Sequence, residues 1–130
     1  MSRSQPRPAA PATVLLLLVA AALTATADEG ARLYRQHCAA CHGPQGRGDG
    51  VVAASLQQAP PDLTRLASAN GGAFPETLVY RVIDGRRMVG AHGSGEMPVW
   101  GNRFAAAGAS ESAVEARIDA LLGHLARLQE

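Results

Sequence analysis

Residues 38–42 read Cys-Ala-Ala-Cys-His, and the cysteines in that run are the only two in the 130-residue chain. No other feature restricts the fold as much. A Cys-x-x-Cys-His spacing is the attachment signature of a c-type haem. On one turn of helix, two thiols three residues apart each reach a vinyl group of the same porphyrin, and the histidine that follows lies under the iron as an axial ligand. Other uses of the pair fit less well. A thioredoxin-like Cys-x-x-Cys sits in a βαβ unit, and no strand alternation surrounds this one. A structural zinc site takes four ligands, and His37, His92 and His124 form no second pair.

The N-terminus reads as an export signal over residues 1–27. Arg3 and Arg7 give a positive start, Val14 to Leu23 an apolar centre, and Ala25-Thr26-Ala27 a small-x-small cleavage site. The uncharged run from Thr13 to Ala27 is shorter than the roughly 18–20 residues of a membrane span. The expectation is therefore a domain over 28–130, exported to the periplasm and not membrane-spanning. Exported thiols ordinarily pair as a disulfide; two thioether bonds would consume both cysteines here. A domain of this size makes a limited core, so a buried haem would share in the folding energetics.

All twelve basic residues are arginine. Without Arg3 and Arg7, ten remain against eleven acidic residues, a formal charge of −1. Two haem propionates would make it more negative. That balance excludes a strongly basic nucleic-acid binder and argues against a broad basic docking ring, though local clusters remain open.

The pattern along residues 28–130 is helical with long loops. Ala31, Leu33, Tyr34, His37, Cys38 and Cys41 recur at helical spacing, predicting a helix over 29–41 that Gly43 stops. Gly43, Gly46, Gly48 and Gly50 form a loop without the Gly-Lys-Ser/Thr ending of a phosphate cradle, which marks it as permissive backbone near the haem. Pro60-Pro61 favours an extended segment, and Leu63 to Ala69 a short helical piece. A helix is predicted from Pro75 to Asp84, with Gly85 as its stop and Leu78, Val79, Val82 and Ile83 on its apolar face. Ser112-Ala113-Val114-Glu115 reads as a capping box. It precedes a core stripe of Val114, Ile118, Leu121, Leu122, Leu125 and Leu128. The expected class is all-α, with about three to five short helices.

A second axial ligand decides what the haem does. Met88, His92, Met97 and His124 are the candidates. Met97 lies in Gly95-Glu96-Met97-Pro98-Val99-Trp100-Gly101, where the proline stiffens the loop and Trp100 and Phe104 offer apolar surface to a porphyrin. For His124, on a helix distant from that loop, packing or surface exposure is the simpler role. Arg86 and Arg87 are either propionate partners or a solvated pair.

CAACHG, then GxGDG, PPDLT, IDGR and EMPVWG, in order from about Gly30 to Leu128, resemble the class I cytochrome c family. The resemblance implies a cytochrome c fold with crossing terminal helices, one covalent haem c with iron, and electron transfer. It implies Cys38 and Cys41 as the thioether residues, His42 and Met97 as iron ligands, and Trp100 in the haem surroundings. It also implies that a carbonyl of Pro60-Pro61, with Pro61 as the candidate, accepts from the His42 ring, in line with the rule that an axial histidine is oriented by an acceptor. One departure stands out: where the family often has an aromatic residue on the C-terminal helix, this chain has His124.

His/Met ligation leaves no open iron position, and its soft thioether raises the potential. The expected role is a periplasmic one-electron carrier cycling Fe(III)/Fe(II), with no catalytic residues and thus not an enzyme. Its partners would be redox proteins: a donor dehydrogenase or reductase, and an acceptor oxidase or terminal reductase. No nucleic acid is expected. The alternatives are a haem c subunit of a larger periplasmic oxidoreductase and a ligand-binding haem protein with open iron.

Overall fold

The computed structural model describes residues 28–86, 97–106 and 108–130. The segment read as an export signal, together with Arg87, Met88 and His92, lies outside the described residues. Within them the fold is all-α, with no strand. Helix α1 covers 28–37, followed by α2 (Ala39–His42), α3 (Leu66–Ala69), α4 (Glu76–Asp84), α5 (Trp100–Ala106) and α6 (Glu111–Arg127), with 3-10 turns at Ala53–Ser55 and Leu63–Arg65. Two of these helices are single turns, so the longer elements match the expected tally.

The first predicted helix is divided at Cys38 without being broken. The Cys38 N–H donates to Tyr34 (2.8 Å) and the His42 N–H to the Cys38 carbonyl (2.9 Å), so helical bonding runs on both sides. Gly43 closes α2 with its N–H on the Ala39 carbonyl. The helix ending at Asp84 is stopped by left-handed Gly85, as expected. Its apolar face is narrower than the sequence suggests. Val79 and Ile83 are buried one turn apart, whereas Leu78 is 56% exposed.

At α6 the cap is displaced from the expected position. Ser110, in extended conformation, accepts from the Ala113 N–H (3.3 Å), and Ser112 falls inside the first turn with its hydroxyl 3.0 Å from that of Ser110. The Ser112–Glu115 capping box is therefore not formed. The stripe is as read over Val114, Ile118, Leu121, Leu122 and Leu125, which are buried, while Leu128, at the helix C-cap, is only partly buried against them. Helix α5, not anticipated from the sequence, packs Trp100 and Phe104 into the same core.

Two contacts set the frame. A Cβ on Gly30 would fall on the Ala120 carbonyl, with the His124 Cβ 3.1 Å away. Helices α1 and α6 therefore cross at backbone distance, and Tyr34 packs on His124 with ring centroids 4.9 Å apart. His124 thus fills the aromatic's place by packing. The second contact is Gln129. Its carbonyl oxygen accepts from the Ala67 N–H (2.8 Å), and its amide donates to the Leu63 and Leu125 carbonyls (both 2.8 Å). The Glu130 N–H adds a bond to Thr64 (2.9 Å). These bonds tie α6 to the segment after Pro60-Pro61.

Gly30→Val has no room at the crossing, and overpacking there should cost about 1–3 kcal/mol. Denaturant unfolding of the haem-loaded protein should show a lower midpoint with unchanged slope; an unaltered midpoint would contradict the crossing.

Candidate haem-binding site

Cys38, Cys41, His42, Pro61, Met97 and Trp100, each picked out from the sequence, line one cavity of about 410 Å³. That size falls within the roughly 300–1,000 Å³ of ligand and cofactor sites. Its remaining walls are largely apolar: Leu56 and Leu63 from the loops, Val79, Val82 and Ile83 from α4, and Leu121 and Leu125 from α6. The sequence places the α4 residues on an apolar face and the α6 residues in a core stripe. They serve as core and as cavity wall at once, because the core faces of both helices converge on the CxxCH turn.

The glycine-rich loop holds that turn in place. The carbonyls of Ala40, Cys41 and His42 receive the N–H groups of Val52 (3.0 Å), Gly50 (3.1 Å) and Gly48 (2.8 Å). These would otherwise be the unsatisfied carbonyls at a helix end. Gly48 has φ +78°, and a Cβ there would strike the Pro60 carbonyl. The loop is thus wedged between the motif and the proline segment.

His42 Nδ1 lies 3.4 Å from the Pro61 carbonyl. A carbonyl only accepts, so Nδ1 carries the proton and the Nε2 lone pair is free. Burial lowers the His42 pKa, partly offset by that hydrogen bond, so the ring is held neutral, as a metal ligand must be. Burial, and secondarily Cys41, pushes the Cys38 thiol up to about 12. A thiol held protonated is a poor partner in disulfide exchange, which needs thiolate. Among the described residues, no three His, Cys, Asp or Glu side chains gather into a metal-binding cluster. The donor set is therefore one imidazole, one thioether and two thiols in an apolar hollow, which fits a porphyrin iron.

Two features lay beyond the sequence reading. His37 lines the cavity and packs against Trp100 (centroids 5.0 Å) and Phe104 (5.6 Å); its i, i+1 relation to Cys38 was the available signal. Arg86 is not a free propionate partner. Its Nε donates to Asp84 (2.6 Å), and its two terminal nitrogens form a bidentate pair with Glu111 (2.7 and 2.9 Å), joining the end of α4 to the start of α6. Both carboxylates raise its pKa.

A helical fold closing on a CxxCH turn through an apolar cavity defines a small c-type cytochrome domain. The chain belongs to the family described as cytochrome c oxidase, cbb3-type, subunit III, whose model matches residues 25–113. No curated protein and no solved structure matches the chain. The protein accordingly has an all-α cytochrome c fold, carries haem c with its iron, and has an electron-transfer role. No helix among the described residues is long and apolar enough to cross a membrane.

Tyr34, 1% exposed, donates to the Gly43 carbonyl (2.7 Å) directly after His42. Tyr34→Phe removes one of two hydrogen bonds on that carbonyl, which keeps the one from the Gly46 N–H (3.2 Å), and should cost about 0.5–1.5 kcal/mol. Burial first, and then Cys38 and the Asp49 carboxylate, push the Tyr34 phenol from 10.0 up to about 12. A raised acid pKa stabilises the folded state below pH 10, and that contribution disappears as pH rises toward 12. Unfolding curves from pH 9 to about 12 should therefore converge for wild type and Tyr34→Phe; a gap that stays constant would refute this role.

Proposed function

We propose that this protein is a periplasmic one-electron carrier, with a single haem held by thioethers to Cys38 and Cys41 and its iron ligated by His42 and Met97. The observation that carries the reading is the convergence of those four side chains on one apolar cavity. Haem c supplies the Fe(III)/Fe(II) couple; the protein supplies its setting. The Pro61 carbonyl orients the imidazole. Pro98 and Trp100, both on the cavity wall, flank Met97 and limit its motion. Apolar walls keep water from the metal, and a soft sulfur ligand favours the reduced state. With His42 and Met97 both holding the iron, no position would stay open to a substrate, and the proposed role is electron transfer without catalysis. Residues 1–27 are proposed as the export signal, removed after Ala27.

One observation favours a second reading. The family's description is that of an oxidase subunit, which supports a haem c subunit held in a larger oxidoreductase. Gentle extraction followed by native electrophoresis with haem staining separates the two. A band at the monomer position supports the carrier; a stable large assembly supports the subunit.

Met97→Ala should abolish the weak near-infrared Met-to-Fe(III) band and lower the potential; unchanged spectra would remove Met97 from the iron. Wild-type reduced protein should not bind CO at ambient conditions, whereas prompt binding would indicate open iron. In the Cys38→Ala/Cys41→Ala variant, haem should be lost on denaturing electrophoresis, and its retention would refute thioether attachment.

A further inference from the structure

A second hollow, of about 710 Å³, lies where α1, α5 and α6 meet, and its character is unlike that of the haem cavity. Arg32, Arg103 and Arg117 stand along it over a floor of His37, Trp100 and Phe104. The Arg103 guanidinium lies 5.4 Å from the Trp100 ring centroid, and that of Arg117 5.7 Å from the Phe104 centroid. Arg117 also reaches the Phe104 carbonyl at 3.5 Å. Glu29 neutralises Arg32. Among the described residues, no carboxylate lies within ion-pairing distance of Arg103 or Arg117. Among the described residues, Arg103 and Arg117 thus carry no direct ion pair, and Glu29 reaches Arg117 only through the longer-range field, on a protein whose formal charge over residues 28–130 is −1.

His37 and Trp100 line this groove and also the haem cavity. A side chain that faces both hollows is the full thickness of the wall between them.

We infer that this arginine–aromatic groove is the docking site for an acidic segment of a redox partner protein, placed where the wall to the haem is a single side chain deep. The inference rests on the haem lying in the first cavity. The chemistry is specific. Guanidiniums laid on aromatic faces keep their hydrogen-bonding forks outward, suited to paired carboxylates. Arginine and tryptophan are the residues that most often anchor protein interfaces. The positive field persists beside His37, where burial first, and then Arg32, Arg117 and Arg103, lower the imidazole pKa. A groove spanning three helices is larger than a small anion needs and suits several acidic side chains in succession. Steering by such a patch weakens with salt.

Hexaglutamate peptide is a direct probe, titrated into the reduced, haem-loaded protein at low ionic strength and followed by proton–nitrogen NMR. The chain has one tryptophan, so the Trp100 indole N–H signal is unambiguous. A saturable shift of that signal is expected. Affinity should fall about fivefold or more in Arg103→Gln and further in Arg103→Gln/Arg117→Gln, while Arg65→Gln, which removes the same charge elsewhere, changes it little. An unmoved indole signal, equal weakening by Arg65→Gln, or free glutamate binding as well as the peptide would overturn the inference. Saturating peptide should also slow oxidation of the reduced haem by hexacyanoferrate(III). In that reaction one electron leaves Fe(II), giving Fe(III) and hexacyanoferrate(II). An unaffected rate would show that the groove is not an electron exit. On the wild-type protein the near-infrared band reads the Met97 ligand and the peptide titration reads the groove, so failure of the ligand assignment and failure of the docking site remain distinguishable.

Discussion

Gly30 has no side chain, and the Ala120 carbonyl takes the space one would need. That contact holds α1 against α6 at backbone distance, and the rest of the site hangs from it. One turn later Tyr34 is locked between His124 and the Gly43 carbonyl. Cys38 follows one turn after Tyr34, and α2 continues to His42. The CxxCH turn is thus anchored at its start by helix crossing and at its end by loop N–H groups on its carbonyls. Both ends are fixed by backbone contacts, which side-chain variation cannot easily loosen.

The same helices perform two jobs. Leu121 and Leu125 belong to the buried core and also to the cavity wall. Val79 and Ile83 do likewise from α4. In a domain this small, core and cofactor site cannot be separate. Polar groups gather where the chain leaves the helices: the Pro61 carbonyl at His42, the Arg86 fork on Asp84 and Glu111, and Asp62, which caps the next turn by accepting from the Thr64 N–H.

Legibility in the sequence tracked the range of the signal. CxxCH is a five-residue pattern, and the α6 stripe repeats over several turns, so both could be read locally. Helix α5 could not. Trp100-Gly101-Asn102-Arg103-Phe104 holds a glycine and only two large apolar residues, and its helicity depends on packing against α4 and α6 rather than on propensity. Ser110 and Ser112 are rival caps two residues apart. Glu115 drew the reading to Ser112, while the extended backbone at Ser110 decided for Ser110. The arginine–aromatic groove had no sequence signature at all, because Arg32, Arg103 and Arg117 meet only after three helices assemble.

The Gln129 clamp carries a consequence for the order of assembly. Its bonds to Leu63 and Ala67 span 66 and 62 positions of chain. Once the chain reaches the compartment where it folds, the glycine loop can settle on the CxxCH turn early, from contacts near in sequence. The stretch beyond Pro61 has one such support, the Leu63 N–H on the Gly46 carbonyl (2.6 Å), and its other ties wait for Gln129 and Glu130. It stays only loosely held until Gln129 and Glu130 have docked after α6, so the cavity is half-walled and reachable from one side until then. Closure is therefore a late event, which leaves a long interval in which a bulky flat cofactor can enter before the walls meet around it.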